Sequence, residues 1–96
     1  MAGYVVRIAL PDRPGALGLV ASRIGAVGGD IVAINILERD GGQAVDEFVV
    51  EIGSHDLVEL LQSEIHEVDG VTVLEIRAAD STTAAGGPTM VTTERL

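Results

Sequence analysis

Few residues in this chain are equipped for chemistry, and their spacing narrows the choice further. There is no cysteine, so its own residues build no disulfide, no thiolate nucleophile and no cysteine-based zinc or iron–sulfur site. The two histidines, His55 and His66, fall at opposite ends of one expected helix, too far apart to hold one ion together. They read as solvated helix surface. Glu64 and Glu67 share a helix face, but no Asp-x-Asp loop marks a calcium site. No Ser/His/Asp arrangement and no paired carboxylates stand out. The expectation is a protein with no catalytic residues, no metal and no cofactor.

One segment does have the chemistry of a binding site. Leu10-Pro11-Asp12-Arg13-Pro14-Gly15-Ala16-Leu17 places two prolines and a glycine where a strand must give way to a helix. The prolines fix φ and remove two backbone donors, and the glycine permits an unusual turn. Gly15 has no side chain, so a ligand can approach the backbone there. The N–H groups that open the following helix, with the helix dipole behind them, favour a carboxylate. Asp12 or Arg13 is a candidate cap for that helix, and Pro14 suits its first turn.

The elements that position this bend follow from periodicity. Tyr4–Leu10 alternates and is β-branched, and predicts a strand. Ala16–Val27 carries Leu17, Val20, Ile24 and Val27 at spacings of three and four, one apolar stripe of a helix. Gly18 and Gly25 weaken that helix by about 1 kcal/mol each and would let it approach a sheet closely. Gly28-Gly29 is a strong stop. Asp30–Glu38 predicts a second strand, Arg39-Asp40-Gly41-Gly42 a hairpin turn, and Gln43–Ile52 a third strand. Ser54 is a good N-cap for a second helix whose stripe is Leu57, Leu60, Leu61, Ile65 and Val68. Asp69-Gly70 ends it, and Val71–Ala78 predicts a fourth strand. From Ala79 to Leu96 the chain is mostly Ser, Thr, Ala, Gly and Pro without a period, which predicts a mostly disordered tail.

The order βαββαβ predicts an α+β fold: the ferredoxin-like sandwich, a four-stranded antiparallel sheet with both helices on one face. The expected organisation is one domain over residues 1–78 and a tail over 79–96. On the open face the expected residues are Val5, Val49 and Val73, with Arg7, Glu51, Glu75 and Arg77 as charges. An unpaired edge strand would invite a second copy.

Composition removes whole classes of function. The 96 residues hold 15 acids against 6 bases, a net charge of −9, and every base is an arginine. Such a surface repels phosphate backbones and anionic headgroups, which argues against nucleic acid and membrane as partners. Tyr4 and Phe48 are the only aromatics, so the stacking platforms of RNA-binding sheets are missing. No apolar run approaches the ~18 residues of a membrane span, and no signal-peptide pattern opens the chain. A cytoplasmic location is the expectation. At this length roughly 60% of the unfolded surface can be buried, so self-association would help a thin core.

Within that frame the bend can be compared with known modules. The pattern strand, D-R-P-G-x-L, helix, then a glycine-led D-I restart resembles the ACT domain, the small regulatory module of amino-acid metabolism. The resemblance spans Tyr4 to Ala78. It implies a non-catalytic, amino-acid-binding module working as a homodimer or higher homo-oligomer, with a metabolic enzyme as its regulated partner. It also implies that the ligand lies between the bend of one subunit and the start of the second strand of another. Carried over, the binding set is Leu10, Asp12, Arg13, Pro14, Gly15 and Ala16 on the bend, with Asp30 and Ile31 on the strand.

This chain departs from the family pattern where binding members often carry histidine or asparagine, at Leu10, Asp12 and Asp30. An acid in place of an amide keeps the acceptor, suits an ammonium and repels a carboxylate. Asp12 and Asp30 have a purely structural reading as well, as helix cap and turn former. The alternative function is a dimerisation or protein-interaction module with no small ligand. A remote alternative is a small acylphosphatase-like enzyme, since Arg13 in the first loop and Asn35 on the second strand supply the residue types. The loop, however, lacks the run of glycines that would cradle a phosphate.

Overall fold

The computed structural model describes residues 1–79. Its elements are β1 (Ala2–Pro11), α1 (Ala16–Ala26), β2 (Asp30–Asp40), β3 (Gln43–Ile52), α2 (Val58–Ile65, led by a 3-10 turn over His55–Leu57) and β4 (Thr72–Ala78). The sheet has the order β2-β3-β1-β4 with every pairing antiparallel. This is the expected α+β ferredoxin-like sandwich. The tail expected from Ala79 lies outside the described residues except for Ala79 itself, whose N–H donates to the Gly3 carbonyl at 2.8 Å.

The core is aliphatic. Alternation along β1 sends Tyr4, Val6, Ile8 and Leu10 inward, and β3 sends Phe48, Val50 and Ile52. Helices α1 and α2 cover that face with Val20, Ile24, Leu61 and Ile65, all fully buried. Each such side chain contributes about 1.5–3 kcal/mol through burial. The opposite face carries a charged network. Arg7 pairs with Glu47 at 3.2 Å and with Glu75 at 3.8 Å, and Arg77 reaches Glu47 at 3.9 Å.

Several expectations shift. The buried stripe of α1 is Ala16, Val20 and Ile24, a spacing of four throughout, so Leu17 turns outward and is 37% exposed. Leu60 on α2 is likewise exposed. Val73, expected on the open face, packs against the core instead. A register shift between Arg7 and Ile8 opposes Val73 to Ile8 and leaves Leu74 outside. A bulge adds one residue and flips the faces beyond it. Gly18 and Gly25 have open space where a Cβ would stand, so neither serves a close approach. That role falls to Gly29, where a Cβ would lie 2.7 Å from Ile24 Cγ2 and 3.2 Å from Val50 Cγ1.

The turns follow their sequence signals. Gly41 and Gly42 both have positive φ, 60° and 85°, as a two-residue hairpin turn requires. The Gly28 and Gly29 N–H groups close α1 on the Gly25 and Ile24 carbonyls. Ser54 accepts from the Asp56 N–H at 3.1 Å and caps the 3-10 turn.

Candidate functional site

The bend after β1 is shaped by backbone rather than by a side-chain cap. Gly15 takes the left-handed conformation at φ 87° and is itself the N-cap of α1, with no side chain bonded there. The Ala16 N–H bonds back to the Arg13 carbonyl at 3.2 Å. Asp12 therefore does not cap the helix. Its N–H donates to the Gly42 carbonyl at 2.8 Å, which ties the bend to the β2–β3 hairpin. Its carboxylate takes a two-point contact from Arg39 at the end of β2, Nε to Oδ2 at 3.1 Å and Nη2 to Oδ1 at 3.2 Å. This side-on fork is the favoured arginine–carboxylate geometry. The hydrogen bond and charge of Asp12 hold the Arg39 guanidinium protonated even more firmly than usual.

Between the bend and the hairpin end of β2 and β3 lies a cleft of about 200 Å³. Leu10, Asp12, Arg13, Leu17 and Arg39 line it, and Asp46 stands in its wall. Sequence reasoning missed Asp46. It is only 3% exposed, and its Oδ1 has no hydrogen-bond partner among the described residues. Burial first, then the nearby charge of Asp12, push its carboxyl pKa up, while Arg39 pulls it down. The signal was available: in Gln43–Ile52, Asp46 shares the inward phase of Phe48, Val50 and Ile52. A charge in the buried phase of a strand has no packing reason to be there.

The other residues of the expected set are placed as follows. Pro14 and Gly15 are exposed on the bend, and nothing lies within 4 Å of where a Gly15 Cβ would be. The side chain of Ala16 is buried in the core. Asp30 and Ile31 open β2 at its far end, where Asp30 opposes Glu51 and Ile31 packs partly against the core. The bend adjoins the other end of the sheet, where Pro11 opposes Gln43 and Asp40 also opposes Gln43. At about 3.3 Å per residue, the length of β2 separates Asp30 from the bend by roughly 30 Å. One protomer brings Leu10, Asp12 and Arg13 together and leaves Asp30 and Ile31 apart from them.

Both histidines are exposed, as expected, and each also makes one structural contact. His55 Nδ1 is hydrogen-bonded to the Tyr4 hydroxyl, with the rings edge-on at 5.6 Å. His66 Nε2 accepts from the Val73 N–H at 3.4 Å. Among the described residues no three His, Asp or Glu side chains converge as a metal would need, and no helix is long and apolar enough to cross a membrane. Arg13 and Asn35 do not share a site. Asn35 opposes Glu47 on the open face, whereas Arg13 borders the bend on the helix side.

The fold and the bend together define a ferredoxin-like sandwich with a proline–glycine corner at the mouth of its first helix. The ACT domain family matches residues 4–70, and the chain belongs to that family. ACT domains are regulatory modules, and membership supports a regulatory, small-molecule-binding role. Solved structures share the fold. The ACT domain from the GTP pyrophosphokinase of Chlorobium tepidum is 18% identical with a TM-score of 0.62, over 82% of this chain and 100% of that one. An ACT domain protein from Streptococcus pneumoniae is 18% identical with a TM-score of 0.64, over 81% of this chain and 90% of that one. A protein of unknown function from Galdieria sulphuraria is 20% identical with a TM-score of 0.71, over 82% of this chain but only 45% of that one. At these identities the likeness establishes the fold alone. No curated protein matches the chain.

Proposed function

We propose that this chain is a non-catalytic regulatory module that binds an amino acid between two copies of itself and reports that occupancy to a metabolic enzyme. The observation that carries the reading is β2. It is an eleven-residue edge strand with one neighbour, and it exposes Val32, Ile34, Ile36 and Leu37. An apolar edge of this length is a template for strand addition. Antiparallel pairing of two β2 strands about Asn35 would bring the partner's start of β2 beside the bend of the first copy. The two halves of the expected site, separated by the length of one strand, would meet across the dimer axis. The ligand's ammonium would then face Asp30, and its carboxylate the amides at the mouth of α1.

Sedimentation across a concentration series, paired with thermal shifts against the common amino acids, tests this. A dimer is expected, with at least one amino acid raising the melting temperature. Ligand at about a hundred times its dissociation constant stabilises by about 2.7 kcal/mol. Ile34→Asp should yield monomers that no amino acid stabilises through this site. A monomer at all concentrations overturns the reading.

The ligand-free dimerisation module is favoured by one observation, that Arg39 already occupies the Asp12 carboxylate. A dimer that no amino acid stabilises at millimolar levels would select it.

A further inference from the structure

We propose a second binding site, complete within one protomer: the cleft between the bend and the hairpin end of β2 takes a small molecule bearing a protonated primary amine, held by the Asp46 carboxylate. Asp46 lines the cleft wall, is only 3% exposed, and its Oδ1 has no partner among the described residues. A buried carboxylate oxygen without a donor costs more than one in water, and a structure keeps one only where something compensates. Arg39 lends Asp46 its charge but no hydrogen bond to Oδ1. Arg39 spends its Nε and Nη2 donors on Asp12, at 3.1 and 3.2 Å. With Asp12 and Arg39 paired to each other, Asp46 and Arg13 are the charges lining the cleft that make no ion pair among the described residues. An ammonium supplies what Asp46 lacks, three donors and a positive charge.

The apolar part of the lining, Leu10, Leu17 and Ile36, suits a short hydrocarbon chain on the amine. The cleft volume of about 200 Å³ is the scale of a small metabolite, not of a peptide. Arg13 stands on the same rim and is the group that would meet a carboxylate if the amine belongs to an α-amino acid. The charged groups facing Asp46 are Asp12 from the bend and Arg39 from β2. The site shares Leu10, Asp12 and Arg13 with the subunit-spanning site but needs neither Asp30 nor a second chain, so Asp30→Ala tells the two apart.

The test uses the whole 96-residue chain and three probes of similar length: butylamine, norvaline and pentanoate. Amide shifts of Leu10, Arg39 and Asp46 are followed by NMR as each probe is added. Butylamine and norvaline are expected to move these three amides together, and pentanoate to leave them in place. Tighter binding of norvaline than of butylamine assigns the amine to an α-amino acid with Arg13 on its carboxylate, and equal binding assigns it to simple amines. Asp46→Asn should weaken butylamine binding by about tenfold or more, the worth of a buried charge-assisted hydrogen bond. Asp30→Ala should leave it intact. If Asp46→Asn does not fold, the Asp46 carboxyl carbon of the unsubstituted chain is titrated instead, and its midpoint should fall when butylamine is present. Silence from both amines, equal shifts from pentanoate, undiminished binding by Asp46→Asn, or an unmoved carboxyl midpoint overturns the proposal.

Discussion

Strands β1 and β2 are built from similar residues and end in opposite circumstances. β1 alternates cleanly between buried and half-buried along all ten residues, because β3 and β4 flank it and both helices lie over its inward face. β2 is equally rich in Ile and Val, yet Ile31 alone is half-buried and its other residues are exposed. It has one neighbour, and bulges between Ile31 and Ala33 and between Ile36 and Glu38 break its alternation. The same apolar side chain is thus core in one strand and unmatched surface in the other. Hydrophobicity marks what a residue can contribute, and topology decides whether one chain suffices to collect it.

Truncation separates the two strands most sharply. Phe48→Ala, in the strand that flanks both, should cost about 3–5 kcal/mol in urea denaturation, because it empties the centre of the core. Ile36→Ala in β2, at 59% exposure, should cost the isolated protomer well under about 1 kcal/mol. A comparable loss at both positions would mean that β2 is already covered in solution.

The joint between α1 and β2 offers a smaller contrast with opposite signs. Gly29→Ala forces a methyl against Ile24 and Val50 and should destabilise by about 1–3 kcal/mol. Gly18→Ala meets open space in a helix interior and should stabilise by up to about 1 kcal/mol. Thermal melts read both.

The last prediction concerns Asp46, a charge that obeys the buried phase. The fold raises the Asp46 carboxyl pKa, so folding favours its protonated form. Its contribution is therefore most favourable below the ordinary carboxylate range near 3.8 and is lost as pH rises through the raised value. Asp46→Asn should gain stability relative to the unsubstituted chain as pH rises from 4 towards neutrality. Denaturation midpoints of the two proteins at a series of pH values will show whether the gap opens in that direction.

Much of this architecture was legible because local signals agree with the global fold. The Gly41-Gly42 turn, the Gly28-Gly29 stop and the Ser54 cap each do what their chemistry predicts. Positions next to irregularities were not legible. Val73 changes face because of a bulge that no residue type announces. Leu17 obeys a helical period but misses the stripe by one position, since Ala16, Val20 and Ile24 form a tighter set. The bend itself could be read, including Gly15 at positive φ. The partner of Asp12 could not, because Arg39 lies 27 residues away and meets it only after the hairpin closes. Asp46 carried a visible anomaly, but its meaning depends on which side chains surround it.

The Tyr4–His55 contact makes the protein its own optical gauge. Tyr4 is the sole tyrosine and there is no tryptophan, so all tyrosine emission originates from one ring, 8% exposed and set edge-on against an imidazole. Because Tyr4 belongs to the central strand while His55 leads the turn into the second helix, parting them alters the dye's surroundings at the moment helix and sheet separate. A single unlabelled sample can thus report the opening of that corner in real time.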